Sequence, residues 1–310
     1  MTRPPADAPV SSLLEDGAGR PLVVHASDLH IGAHAPEMLL AFTEAVFALA
    51  PRLVILSGDL TDGGRAMEFV ALAHYLNVFP CPVFVVPGNH DSPVDNPFKR
   101  IAAPFGMFQT MPAGQRALGL PGLHVGELRT SAPIQARLDW SKGVATKHRV
   151  IRALDNLAEA RRADRSGATR PWRVLVAHHP LLDARGVLVP GEVLGGEAAI
   201  EACDRAGVDL VLSGHTHESF FGQGGPRGLL LGTAPTLSSP RTRGEAQGFH
   251  VYDLGAEDAA CAVWRWTGES FAEQSVVHLL RRPAQGVAGA GAGVEPAMAT
   301  HVLRASGELP

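Results

Sequence analysis

Leu53-Val54-Ile55-Leu56-Ser57-Gly58-Asp59-Leu60-Thr61-Asp62 is the stretch on which the reading of this chain turns. Four consecutive apolar residues with β-branched Val and Ile at their centre read as a strand buried on both faces. The run then breaks into Gly58-Asp59, followed by Thr61 and Asp62. By itself that polar end is a helix N-cap, a position where Asp is favoured. The same grammar recurs four more times. Leu22-Val23-Val24-His25-Ala26 runs into Ser27-Asp28-Leu29-His30, and Val83-Phe84-Val85-Val86 into Pro87-Gly88-Asn89-His90-Asp91. Val174-Leu175-Val176-Ala177 runs into His178-His179-Pro180, and Leu210-Val211-Leu212 into Ser213-Gly214-His215-Thr216-His217. Ligands of α/β proteins collect at the carboxyl ends of strands, so five strand ends bearing Asp, Asn and His can converge on one crevice.

Amphipathic helical patterns lie between these runs, at 36–50, 66–77 and 150–162. From about 226 to 281 the pattern changes to strands and hairpins, and Trp264 and Trp266 alternate so that one face of their strand is buried. The expected architecture is α/β, with helices around central sheets and the β-rich C-terminal third as a second layer. With 310 residues, 45% of them hydrophobic and 19% charged, the chain can build a sizeable core. Residues 1–20 are rich in Pro, Ala, Asp and Gly, and 282–310 is a Gly/Ala stretch without apolar periodicity. Both read as disordered tails around a folded unit at 21–281.

Composition also narrows the partners. No run reaches the roughly 18 apolar residues of a membrane span, and the start lacks the basic-then-apolar pattern of a secretory leader. Cys81, Cys203 and Cys261 are odd in number and dispersed, which fits neither a disulfide framework nor a thiolate zinc site. A reducing cytoplasm is the expected setting. A net charge of −4 offers no footprint for a nucleic-acid backbone.

Each motif has an ordinary structural reading. Asp28-x-His30 can be a turn, and Gly88-Asn89-His90-Asp91 is built of turn residues. Gly214-His215-Thr216-His217 is the strongest single signal, because residues two apart in an extended segment share a face. The joint pattern, with strand–loop context each time, points to metal. Oxygen donors and imidazoles without thiolate suit two divalent first-row ions such as Mn, Fe or Zn. Such a pair needs a bridging carboxylate and activates a water for in-line attack at phosphorus.

D-x-H, G-D-x-x-D, G-N-H-D, H-x-P and G-H-x-H, in this order over residues 28–217, resemble the motifs of the calcineurin-like metallophosphoesterase superfamily. The resemblance implies a four-layer αββα sandwich of two mixed β-sheets flanked by helices. It implies that Asp28, His30 and His217 hold one ion, that Asn89, His178 and His215 hold the other, and that Asp59 bridges them. His90 would stand beside the phosphate as proton donor or charge stabiliser, with Asp62 orienting it. Matching H-x-P selects His178, two residues before Pro180, and leaves His179 to line the substrate side.

Protein Ser/Thr phosphatases of the superfamily carry G-D-x-V-D-R-G, whereas this chain has Gly58-Asp59-Leu60-Thr61-Asp62-Gly63-Gly64. The missing Arg removes a bidentate phosphate clamp and argues against a phosphoprotein substrate. GDLTD with GNHD, HHPL and LSGHTH looks most like the bacterial class III cyclic-nucleotide phosphodiesterases. The segment from Gly232 through Ser239, Arg241, Arg243 and Gly244 resembles the strand and turn that follow GHTH there. The expected function is therefore a dinuclear phosphodiesterase of cyclic nucleotides or similar small diesters. The alternatives are a broad phosphomonoesterase or glycerophosphodiester hydrolase with the same site, and an inactive interaction scaffold, against which the complete ligand set argues. Dimers occur in the resembling family, so a homodimer is a candidate assembly. Other residues default to structure: His25 to a core or supporting place, GQGGPRG at 222–228 to a hairpin turn, and Trp140, near Arg137, to packing.

Overall fold

Along β1 (Leu22–Ala26) successive residues belong to different cores. Val24 and Ala26 share one with the helices α1 (Pro36–Leu49) and α2 (Ala66–Leu76), whereas Val23 packs into a second core between two sheets. β2 (Leu53–Leu56) divides the same way, with Val54 and Leu56 on the helix side and Leu53 and Ile55 between the sheets. Burial on both faces explains why these strands read as unbroken apolar runs and not as alternations. The computed structural model describes residues 11–14, 22–111, 114–132, 139, 141–182 and 193–282.

The first sheet has the order β14 (Phe271–Leu280), β13 (Asp258–Trp266), β12 (Gly248–Leu254), β1, β2 and β3 (Val83–Val85). β1, β2 and β3 are parallel, and β12–β14 form an antiparallel meander joined to β1 in the register His25↔His250. The second sheet runs β10 (Phe220–Gly224), β11 (Leu229–Thr233), β9 (Leu210–Ser213), β7 (Trp172–Val176), β5 (Leu123–Glu127) and β4 (Ala117–Leu120). Its outer face is covered by α5 (Lys147–Ala163) and α6 (Gly196–Arg205), which form a third core with Leu175, Ala177, Val211 and Leu231. The short pair β6 (Gly143–Val144) and β8 (Val193–Leu194) and the small helices α3 (Pro97–Ala102) and α4 (Gly106–Gln109) complete the elements. Three cores separate four layers, and the fold is an αββα sandwich of two mixed sheets.

The C-terminal third does not make a layer of its own, contrary to its sequence pattern. β11 pairs with β9 in the second sheet, while β12–β14 extend the first beside β1. Local hairpin signals fix which strands turn back on each other, but attachment to a sheet is decided by long-range pairing. The GQGGPRG stretch closes the β10–β11 hairpin. Trp264 is fully buried against the helix-side core and stacks on Phe249, with Trp266 packed partly against the same core.

A few residues at the expected tails are among those described. Within 1–20, Ser12–Leu14 form a short 3-10 helix, and the Ser11 hydroxyl and the Ser12 N–H donate to Glu273 of β14 (2.6 and 3.1 Å). Arg282 is held against Asp204 at 3.1 Å. Residues 283–310, Arg137 and Trp140 lie outside the described residues. The three cysteines are free, and among the described residues no helix is long and apolar enough to cross a membrane.

Candidate metal centre

β1, β2 and β3 of one sheet and β7 and β9 of the other all end toward the same crevice. The loop after β1 runs alongside the loop after β2: Asp28 N–H donates to the Gly58 carbonyl and His30 N–H to the Asp59 carbonyl, both at 3.0 Å. These loops are tightly wound. Asp28, His30, Asp59, His215 and His217 have φ of 56°, 49°, 48°, 71° and 63°. That left-handed region is uncommon for residues with a Cβ. Among the described residues the other such case is Ala50, the C-cap of α1. Left-handed strain gathered on the polar residues of one cluster is a functional signature. Two glycines allow the loops to close. A Cβ on Gly88 would lie 2.1 Å from Asp59 Oδ1, and one on Gly214 would lie 1.7 Å from Ser27 Oγ and 2.6 Å from Asp28 Oδ2.

The side chains form two linked groups. Asp28 is fully buried, with Oδ1 3.1 Å from His217 Nε2 and Oδ2 accepting the His215 N–H at 2.9 Å. His217 Nδ1 donates to the Arg241 carbonyl (2.6 Å), which leaves Nε2 facing the cluster. His178 is anchored alike: Nδ1 donates to the Ser57 carbonyl (2.9 Å), and Nε2 lies 3.1 Å from Asn89 Oδ1 and 3.3 Å from Asp59 Oδ2. The same Asp59 oxygen is 3.8 Å from His30 Nε2, which is 3.9 Å from Asp28 Oδ1. His30 is buried, yet neither of its ring nitrogens has a hydrogen-bond partner. Below the cluster, His25 Nε2 and the Ser57 hydroxyl share a hydrogen bond (2.9 Å), and burial lowers the His25 imidazole to about 3, a neutral supporting ring.

Charge in this cluster is delicately balanced. Burial penalises both carboxylates, yet His217 holds Asp28, and His178 holds Asp59, below the usual carboxylate range. Burial likewise opposes a charged His178, but Asp59 beside it raises the imidazole to about 9. His217 is raised by Asp28, again against burial. Burial lowers His30, and lowers His215 to about 3. Each buried carboxylate thus lies beside an imidazole whose basicity it raises. Divalent cations would fit the same donors: carboxylate and amide oxygens, imidazole Nε2 atoms whose Nδ1–H is fixed on main-chain carbonyls, and an orphaned His30.

His90, half-buried, donates from Nδ1 to the main-chain carbonyl of Asp62 (2.7 Å). The Asp62 side chain, to which the resemblance gave that task, instead lies 3.4 Å from His30 Nδ1 and 3.4 Å from the Arg241 guanidinium. His179 does not line the substrate side. It is fully buried, its Nε2 donates to the Ser141 carbonyl (2.6 Å) and its Nδ1 accepts from the Thr130 hydroxyl (3.0 Å). Its nitrogen comes within 4.8 Å of those of His178 and His215. With both nitrogens engaged, however, the ring supports its neighbours and has no lone pair to offer a metal.

The family model for calcineurin-like phosphoesterases matches residues 21–219, the span that contains every strand-end motif of the cluster. The chain belongs to the calcineurin-like phosphoesterase family. It is 28% identical over 191 residues to a probable cyclic nucleotide phosphodiesterase of Synechococcus sp.. The match takes in 60% of this chain and 66% of that relative, a little under two thirds of its length. Among solved structures, the chain resembles a purple acid phosphatase from yellow lupin (Lupinus luteus) with a TM-score of 0.59 and 12% identity. That likeness covers 84% of this chain and 54% of the lupin protein. It also resembles GAP50, the anchor in the inner membrane complex of Plasmodium, with a TM-score of 0.55, 11% identity and coverage of 86% and 90%. A phosphatase and an anchor on one fold leave function to be argued from the site.

Two residues that position the cluster were given no role in the sequence reading. Asp91, 1% exposed, accepts from the N–H groups of Gly88 (2.8 Å), Leu60 (3.2 Å) and Thr61 (2.8 Å) and from the Thr61 hydroxyl (2.9 Å). Burial, with the Asp59 charge adding to it, pushes its carboxyl up to about 6. The signal was there, as the last letter of G-N-H-D. Arg241, by contrast, lies 24 residues beyond His217 in a loop without periodicity, and only the resemblance of 232–244 drew attention to it.

Proposed function

We propose that this phosphoesterase is a dinuclear phosphodiesterase acting on cyclic nucleotides or similar small phosphodiesters. The observation that supports two ions is the place of Asp59 Oδ2, shared between His30 Nε2 and His178 Nε2. On this reading Asp28, His30 and His217 hold one ion, Asn89, His178 and His215 the other, and Asp59 bridges. Mn²⁺ or iron suits the oxygen and imidazole donors, and Zn²⁺ is compatible. When bound, such a pair supplies a water-derived nucleophile at neutral pH and Lewis-acid stabilisation of phosphoryl charge. The chain's own groups do the rest. The Ser57 and Arg241 carbonyls set the tautomers of His178 and His217. Asp28 ties the His215 main chain to the first sheet's loops. His90 is held through Nδ1, so in its imidazolium form Nε2 is the nitrogen that gives a proton to the departing oxygen.

The diester reading draws on the activity named for the Synechococcus relative and on the glycines that follow Asp62. Buried, free Cys203 and Cys261 are in keeping with a reducing, cytoplasmic setting. The test is reconstitution. Protein stripped by chelation should be inactive, and Mn²⁺ should restore turnover of bis(4-nitrophenyl) phosphate and of a cyclic nucleotide, with 4-nitrophenyl phosphate turned over more slowly. Full activity in protein shown by elemental analysis to be metal-free would sink the mechanism. A preference for the monoester would overturn the diester assignment.

A further inference from the structure

The arginine that the sequence lacks after Asp62 is present in space. Gly63 and Gly64 occupy the positions next in the chain, but the loop after β11 brings Arg241 to the same carboxylate, with Nη2 3.4 Å from Asp62 Oδ1. Its main-chain carbonyl fastens His217, so the residue is tethered to the cluster at one end. At the other, its side chain is 54% exposed at the rim. Asp62 Oδ1 is also 3.4 Å from His30 Nδ1, which puts the guanidinium one carboxylate away from the cluster's imidazoles. Among the described residues that one long contact is the guanidinium's whole set of partners, and a guanidinium has five N–H donors. Arg65, the nearest arginine in sequence, is differently placed: its Nη1 donates to Glu68 at 2.7 Å, within the cap of α2.

We propose that Arg241 is the phosphate-holding residue of this site. Asp62 aims the guanidinium, and its unused N–H donors take a non-bridging phosphoryl oxygen of the substrate. The proposal rests on the phosphoesterase reading above. It also gives the Asp62 side chain a positioning task directed at Arg241 in place of His90. A planar fork of donors matches the spacing of phosphoryl oxygens, which a lysine ammonium meets only as a point charge.

The experiment uses full-length, Mn²⁺-reconstituted protein and inorganic phosphate as the probe, read as a competitive inhibition constant and as the rise in Tm that phosphate produces. Arg241→Ala should weaken phosphate by at least about tenfold, as expected for a lost charge-assisted hydrogen bond, with metal content unchanged. Arg241→Lys should recover part of that loss. Asp62→Asn should weaken phosphate by a smaller factor and leave the leaving-group dependence of kcat untouched. Arg65→Ala should bind phosphate as the wild type does. Wild-type phosphate affinity in Arg241→Ala, in a protein that hydrolyses phosphoesters, overturns this proposal alone. Loss of metal in Arg241→Ala overturns it in favour of a purely structural residue. A wild-type protein that neither hydrolyses phosphoesters nor binds phosphate brings down the functional reading and this proposal with it.

Discussion

Four donors converge on the Asp91 carboxylate, and they come from two loops: Gly88 on its own side, Leu60 and Thr61 on the other. An asparagine has the same shape but turns one acceptor into an NH₂ group, which in either orientation points hydrogens at N–H donors. With its NH₂ turned to Thr61, whose hydroxyl can accept from it, the amide leaves one buried N–H unpaired, so Asp91→Asn should cost about 1–3 kcal/mol. Urea denaturation measures it, and a loss within about 0.5 kcal/mol, the range of ordinary surface substitutions, would show that the carboxylate does not anchor these loops. His90 calls for a kinetic test. If its free Nε2 protonates the leaving oxygen, His90→Ala should spare the metals and cost little on an aryl diester, whose phenolate leaves unaided. On a cyclic nucleotide, with its basic alkoxide, the loss should be about 10²–10⁴-fold. Equal losses on both substrates would rule out the proton-donor role and favour electrostatic stabilisation.

The strand-end loops are governed by close approach. Gly214 opens the G-H-x-H loop, and its missing Cβ is what lets Ser27 and Asp28 pass beside it. Gly214→Ala should separate the loops after β1 and β9, lowering metal content and Tm together. An alanine variant that keeps its full complement of ions would show that the loops can yield. These elements were legible in sequence to very different degrees. β1 and β2 carry the bounds their apolar runs announce, because a strand buried on both faces stays largely apolar until it leaves the sheet. β4, with its half-buried Ala117, Gly119 and flanking leucines, carries no such run and was missed. The ligand residues were legible because each sits at the break between run and loop. Arg241 was not, since its partner Asp62 lies 179 residues away in the chain. A contact of that separation is a property of the folded molecule and leaves no local pattern.

At the scale of the whole molecule the cluster is a seam. Asp28, His30, Asp59 and Asn89 come from the ends of the first sheet, and His178, His215 and His217 from the second. Ions bound by both groups would tie the two halves of the inter-sheet core at its open edge. Because they bind the folded chain and not the unfolded one, each should stabilise it by about 2.7 kcal/mol at a hundredfold excess over its Kd. Calorimetry before and after chelation should show Tm falling. An unchanged Tm with metal loss verified would mean that the apolar core alone fastens the sheets. The same seam carries the five left-handed residues, Asp28, His30, Asp59, His215 and His217. Each holds a Cβ where the backbone favours glycine, at roughly 1–2 kcal/mol per residue. This has a consequence for inheritance. A lineage released from the chemistry would be free to drift to glycine at these positions, and each such step would relax the backbone. Its silence would be ratcheted in by stability. A descendant without the activity has nothing to gain from keeping Asp and His at all five positions, and a sturdier fold to gain from losing them.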